Sequence, residues 1–508
     1  MSDELLGRDI WSDDDVARSG MRVSDAYVTS IGGGLGSFAL ADTLRVAGLG
    51  ADQIAVVGDG EKPERTYRYL ATNSQIPDHE RLRSDAGSTM DNIWGWPSYA
   101  WREAAATKSF TPLWNVLSEP FLTDYYTPEA GQVYESVAAE AERIGWTRML
   151  RTGRARLVRR RAGGGYFTVF TPLDRPTAAD GAPARTVIRS RYTHVAVGYP
   201  GVKFLPDLQA YRETHGDASR VVNAYEPHDH VYEECRRRPS VVLVRGSGIV
   251  ASRILQRLLD DREHHGAPTT VVHLFRNYVA EPQGDSARFR RPGRDGWAYQ
   301  GFNFPKAAWG GQLKEQLERL DGQGRAELIG RMGGTNTPPR RSWREQLQRG
   351  RDGGWYREYV GTVKAVDPGA DQSIVTTVGT TDGATITLPA NFIIDATGLD
   401  ADIGENRLLA DLLERGGAQR SPYGRLDVSK GFEVLGTRSD PGRLYASGSI
   451  TLGGYYAGVD SFLGLQYAAL AIADDLAAHG AAPRIGMRRS LAEWWRWATD
   501  KPPKEVAR

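Results

Sequence analysis

Two rhythms of apolar and polar positions run along this chain, and the elements follow from them. After an acidic stretch to about Ser24, AYVTSI (26–31) reads as a strand, GGGLGS (32–37) as a turn, and FALADTLRVAGLG (38–50) as a helix ending on glycine. QIAVV (53–57) is the next strand, which completes a βαβ unit. Residues 60–110 are aromatic and irregular, and VYESVAAEAERIGW (133–146) has the spacing of an amphipathic helix. RARLVRRRAGGGYFTVFT (154–171) alternates on both sides of Gly163, Gly164 and Gly165, as a hairpin does. YTHVAVGYPG (192–201) is a strand entering a glycine turn.

The same rhythm then returns. SVVLV (240–244), GSGIVA (246–251), a helix to about Leu259 and TTVVHLF (269–275) form a second βαβ unit. Residues 276–358 are rich in Arg, Gly and Pro, with short helices such as QLKEQLERL. Strands resume at YVGTVKAV, SIVTTVG and TITLPANFIIDATG. LYASGS (444–449), a glycine-rich loop and the helix SFLGLQYAALAIADDLAAHG (461–480) follow, and LAEWWRWATD forms an amphipathic tail helix that caps the core or meets a second copy.

Composition narrows the classes. At 508 residues the chain exceeds one core, so two or three domains are expected. A net charge of +1 gives no general attraction to nucleic acid or anionic membrane. No apolar run reaches the ~18 residues of a membrane span, and the acidic N-terminus lacks the apolar core of a secretion signal. A cytoplasmic protein acting on a small molecule is expected, with a homodimer left open. Its single cysteine, Cys235, excludes an internal disulfide and a Cys-x-x-Cys centre. No His/Cys spacing suggests a metal.

Each glycine turn follows a strand and opens a helix, the setting in which such a turn cradles a pyrophosphate. In the first loop Gly32 permits the tight turn, Gly34 lets the backbone approach the phosphates, and Ser37 is small enough for helix–strand packing. Gly246, Gly248 and Ala251 repeat this logic. At the end of the following strand an acid usually holds the ribose. In the first unit that position is Gly58 and Asp59 is next, so Asp59 is the candidate; in the second, Arg276 stands there instead. An arginine suits a 2′-phosphate, hence NADP rather than NAD, the alternative being a solvated surface residue.

At these residues the chain resembles the two-dinucleotide-binding flavoproteins, particularly the class B flavoprotein monooxygenases (Baeyer–Villiger, N-hydroxylating and flavin-containing). The order matches: first loop, THVAVGYPGVKFLP (193–206), second loop, FIIDATG (392–398) and LYASGS. VNAYEPHDHVY (222–232) resembles a degenerate form of the family's F-x-G-x-x-x-H-x-x-x-W fingerprint, with His228 in place and Val222, Ala224 and Tyr232 substituted. GSTMDNIWGWPS (87–98) resembles, more loosely, a G-G-T-W stretch near the flavin. Gly58 and Ser449 depart from the family, which has Glu and often Asp there.

The resemblance implies an α/β protein with two Rossmann-like domains, the NAD(P)H domain inserted into the FAD domain. It implies FAD on Gly32, Gly33, Gly34, Gly36, Ser37, Asp59, Gly398 and Gly448, and NADPH on Gly246, Ser247, Gly248, Ala251, Arg276 and His228. His228 serves the cofactor or the interdomain linker, or is a surface residue like His230. The expected domains are an arm (1–24), the FAD domain (25–235 and 366–480), the NAD(P)H domain (236–365) and a helical tail (481–508). Tyr455, Tyr456 and Asp460 fall near the flavin, with packing the alternative for the tyrosines; GGTNTPPRRSWR (333–344) is a substrate-facing or cofactor-clamping loop, or a solvated one.

Two cofactors in one chain meet a physical need, since hydride passes only between rings in near contact. A disulfide reductase has the same layout but needs a dithiol, which this chain lacks. The expected function is an FAD- and NADPH-dependent monooxygenase that uses O2 through a flavin C4a-(hydro)peroxide to oxygenate a small molecule at N, S or carbonyl carbon. The alternatives are an NAD(P)H:acceptor oxidoreductase serving a quinone or protein, and a nucleotide-sensing protein. The sequence names no catalytic residue.

Overall fold

Two seven-stranded sheets organise the chain. The computed structural model describes residues 3–82, 89–118, 126–175, 177, 184–276, 312–332 and 341–506. The first sheet contains β1 (Ile10–Trp11), β2 (Arg22–Ile31), β3 (Ile54–Gly58), β4 (Leu150–Arg161), β5 (Tyr166–Pro172), β6 (Thr186–Val195) and β14 (Arg443–Ala446). Its order is β1-β4-β3-β2-β6-β14, parallel throughout, with β5 antiparallel to both β4 and β6. The hairpin expected around Gly163–Gly165 is the β4–β5 pair, closed by Arg161 N–H to Gly165 O.

The second sheet contains β7 (Val221–Asn223), β8 (Ser240–Arg245), β9 (Thr269–Phe275), β10 (Tyr356–Pro368), β11 (Ile374–Thr380), β12 (Thr385–Ala390) and β13 (Phe392–Asp395), ordered β12-β11-β10-β9-β8-β13-β7. Strands β7 to β10 and β13 are parallel, and β10-β11-β12 is an antiparallel meander. Both sheets share one local order. β2 lies between β3 and β6, and β8 lies between β9 and β13. Each glycine loop therefore leaves its sheet where the strand order reverses, the place where open α/β sheets bind ligands.

This topology corrects the expected domain limits. FIID was assigned to the first domain, yet β13 pairs with β7 and β8 and buries all four residues in the second sheet. Strands β7, β11 and β12 belong there too, so the second unit extends well beyond 236–365 on both sides. TITLPANFIID also divides into two strands. Asn391 turns the chain between them, its Oδ1 accepting from Val241 N–H and its own N–H bonding Val241 O. The N-terminal stretch is no free arm. Trp11 and Val16 bury against Leu157 and Phe167, and β1 adds to the edge of β4.

The core of the first unit lies between its sheet and the helices Leu35–Ala47, Ala130–Ile144 and Phe462–Ala478. The tail helix Met487–Ala498 caps this core. Trp497 Nε1 donates to Asp91 O, Trp94 Nε1 to Ser490 Oγ, and Arg489 Nε to Val46 O. Two helices between β9 and β10, Gln312–Arg319 and Gly322–Met332, pack away from their own sheet, with Leu317, Leu328 and Ile329 against Ala457 of the first unit.

Candidate functional site

The first loop is shaped by contacts that exclude side chains. A β-carbon at Gly32, whose φ is +138°, would collide with the carbonyl oxygen of Ala196 at the end of β6. Gly246 (φ +129°) has the same relation to Ala396, just beyond β13. The hydrogen bonds repeat as well. Gly32 N–H bonds Val57 O and Ala196 N–H bonds Ile31 O; Gly246 N–H bonds Leu274 O and Ala396 N–H bonds Arg245 O. The two loops are one device built twice.

The departure at Gly58 has a physical reason. A β-carbon at Gly33 would lie 2.6 Å from Gly58 Cα, so loop and strand end meet glycine to glycine. The next residue, Asp59, stands exposed with its carbonyl held by Arg65 Nη1 (3.1 Å). Ser37 and Ala251 are completely buried, as close helix–strand packing requires, and Ser37 Oγ accepts from Gly33 N–H.

The helices Leu35–Ala47 and Ile249–His265 start from Gly34 and Gly248 with no side-chain cap. Their first amides are donors available to an anion, with the favourable end of the helix dipole behind them. Around Gly36 the loop meets Ala196, Ser447 and Leu465, so β6, the segment after β14 and the Phe462–Ala478 helix converge there. Gly448 (φ +83°) follows, then Ser449, whose buried Oγ has no hydrogen-bond partner among the described residues. An orphaned hydroxyl beside a glycine cradle fits a bound polar group. Gly398 (φ +123°), expected on the first site, follows β13 of the second sheet, two residues past the Ala396 that meets Gly246, and corresponds to Gly198 (φ +69°) after β6.

Two buried histidines, which the sequence reading missed, brace the loops. His194 on β6 bonds Ser30 Oγ and Ser447 Oγ, both at 2.8 Å, tying β2, β6 and the segment after β14 together. Burial lowers its pKa to about 3, so it is neutral. His273 on β9 bonds Gly246 O at 2.6 Å and Tyr356 Oη at 3.0 Å, and burial lowers its pKa to about 4. A histidine inside an apolar strand run was the available signal.

His228 is buried, not a surface residue. One ring nitrogen bonds Glu226 O (2.7 Å) and the other Tyr232 Oη (2.9 Å). With both nitrogens engaged by protein groups it braces the segment before β8, in keeping with the linker alternative; His230 is exposed. Ser247 lies between the two loop glycines, and Arg276 stands exposed directly after β9, whose Leu274 carbonyl holds Gly246. Residues 87–88 and 333–340 lie outside the described residues. Within the rest of the 87–98 stretch, the carbonyls of Thr89 and Asn92 accept from Gln466 Nε2 (2.6 and 2.8 Å).

Between the units, Tyr199 of the crossing segment donates to Asp460 Oδ2 at 2.7 Å. Burial, then the Asp460 charge, raises the Tyr199 phenol above its ordinary value and Tyr225 to about 12. Both remain protonated donors at neutral pH. Tyr455 lies under Arg325 (4.1 Å), which reaches Gly453 O from the Gly322–Met332 helix, and Tyr456 stacks on Tyr467 at 4.2 Å. Among the described residues no His/Cys/Asp/Glu group could hold a metal, and no helix is long and apolar enough to cross a membrane.

No protein-family model and no curated protein matches the sequence. Solved structures do match in shape. Cadaverine monooxygenase DfoA of Erwinia amylovora, bound to FAD, has a TM-score of 0.64 at 13% identity, covering 91% of this chain and 97% of its own. Ornithine N-hydroxylase KtzI of Kutzneria sp. 744, with reduced FAD, NADP+ and L-ornithine, has 0.60 at 15%, covering 90% and 100%. The bacillithiol disulfide reductase Bdr of Bacillus cereus has 0.51 at 14%, covering 90% and 99%. This chain has the two-sheet α/β fold of the N-hydroxylating flavin monooxygenases.

Proposed function

We propose that the chain is an FAD- and NADPH-dependent monooxygenase that hydroxylates the nitrogen of a small primary amine. The observation that carries this reading is the duplicated loop: two uncapped helix starts, each on a glycine at a strand-order reversal, in a chain with no dithiol. Similarity in shape to amine hydroxylases supports the nitrogen as target. When bound, FAD supplies two-electron redox chemistry and the activation of O2. The reaction balances as R–NH2 + O2 + NADPH + H+ giving R–NHOH + H2O + NADP+.

The chain's own residues bind and orient. Gly32, Gly33, Gly34, Gly36 and Ser37 would hold the FAD pyrophosphate, Asp59 the ribose, and Gly448 and Ser449 the flavin side. Gly246, Ser247, Gly248 and Ala251 would hold NADPH, with Arg276 on the 2′-phosphate. Asp460 offers a carboxylate to a cationic end of the substrate, with Tyr199 holding its other face. The helices within 312–332 pack beside this junction, against Ala457. A small-molecule substrate and O2 are the partners in this reading.

The test is product analysis with flavin-loaded protein, NADPH, and a panel of primary amines, thioethers and ketones, with and without O2. The expected result is an O2-dependent hydroxylamine from an amine. Rapid quinone reduction with no oxygenated product from any class would overturn the proposal in favour of an acceptor oxidoreductase.

A further inference from the structure

One guanidinium is buried where the two units meet. Arg253 lies on the Ile249–His265 helix, two residues past Ala251 of the second loop, and is 2% exposed. Nε and Nη2 both donate to the main-chain carbonyl of Gln75 in the first unit, at 2.9 and 2.6 Å, and Nη1 donates to Glu80 Oε2 at 3.2 Å. Gln75 follows the Arg65–Asn73 helix and adopts a left-handed backbone (φ +61°), a conformation that non-glycine residues seldom take. That turn presents its carbonyl to Arg253.

The grip is reinforced from both sides. Arg257, one turn along, reaches Gln75 Oε1 (3.5 Å) and lies over the Tyr232 ring (5.2 Å), the ring whose hydroxyl bonds His228. Asn73 Nδ2 donates to Tyr225 O (2.9 Å). The degenerate fingerprint of the sequence thus backs a contact with the first unit.

We propose that Arg253 is a positioning residue that sets the approach of the nicotinamide-side loop to the flavin-side loop. The second helix cannot swing away without stripping a buried guanidinium of its described hydrogen-bond partners, Gln75 and Glu80, which is strongly unfavourable. The turn it grips lies on the segment leading from Asp59, so the contact links the two nucleotide sites by a short rigid path. Hydride transfer is sensitive to such registration, because small displacements of reacting rings cost large factors in rate. This role rests on the two-cofactor reading above.

The test uses full-length, flavin-loaded Arg253→Ala, Arg253→Lys and Glu80→Gln. Flavin content and reduction by dithionite should match wild type. The limiting rate of anaerobic reduction by NADPH should fall roughly tenfold to hundredfold in Arg253→Ala and less in Arg253→Lys, which cannot make the paired bond. Amide hydrogen exchange at 74–82 and 249–257 should quicken in both. A wild-type limiting rate in either soluble Arg253 variant overturns the proposal. Should Arg253→Ala not fold, Arg253→Lys and Glu80→Gln carry the test, and unchanged rate and exchange in both overturn it. If NADPH fails to reduce the wild-type flavin, the two-cofactor reading falls and the hydride role with it, while hydrogen exchange still separates a clamp from a passive contact.

Discussion

Gly32 and Gly34 stand two residues apart in one turn and answer to different demands. Gly32 is required by the protein itself, because its φ and the Ala196 carbonyl leave no room for a methyl group. Gly34 has an extended backbone open to any residue, and the nearest atom to a β-carbon there is Pro63 O at 4.0 Å. Gly32→Ala should therefore lower stability by about 1–3 kcal/mol with or without flavin. Gly34→Ala should leave the melting temperature of flavin-free protein unchanged and yield colourless protein, which absorbance after purification checks. Full flavin retention in Gly34→Ala would mean that the phosphates do not lie on this backbone. Arg276 is exposed, so Arg276→Ala should spare the fold and weaken NADPH use roughly tenfold to hundredfold while sparing NADH. Equal loss with both nucleotides, measured as kcat/KM, would assign it a structural part.

Among elements, β2, β6 and β14 are held in step by His194, and this has a pH signature. Its folded pKa is depressed to about 3 against an ordinary 6.5, so below pH 6.5 the unfolded chain binds a proton that the folded one refuses. Its contribution to stability is thus complete above pH 6.5 and is lost progressively as pH falls toward 3. Asp42 and Glu140, raised by burial, act with the opposite sign, losing stability as pH rises above the ordinary carboxylate range. The wild-type curve mixes both. Subtracting the curve of His194→Asn isolates the histidine, and the difference should shrink between pH 6.5 and 4; a constant offset would show that His194 does not titrate on unfolding. Most elements were legible because period-2 and period-3.6 patterns are local properties. Membership of a sheet is not local. Phe392, Ile393 and Ile394 are apolar on both faces, as a buried parallel strand is, and nothing in three such residues says which sheet receives them.

For the molecule as a whole, the sequence disclosed two glycine-loop βαβ units, but not where one ends. The loops were readable because glycine is demanded there by backbone geometry. The contacts between units were not, since Arg253, Gln75, Tyr199 and Asp460 are ordinary residues until folding brings them together. The helices at 312–332 show the same limit: their sequence gives helical spacing but not the partner, Ala457, more than a hundred residues on.

Two crossings between the sheets, at 201–202 and 399–400, touch each other. Val202 pairs antiparallel with Leu399, and Asp400 N–H bonds Gly201 O at 2.9 Å. Departure and return therefore share one doorway. A chain cut there and rejoined from 201 to 400 has no gap to span, so the second unit is an insertion whose two ends already meet, and every strand of the first sheet lies outside it. Exchange of the second unit would need this ribbon together with matched contacts at Arg253 and Ala457.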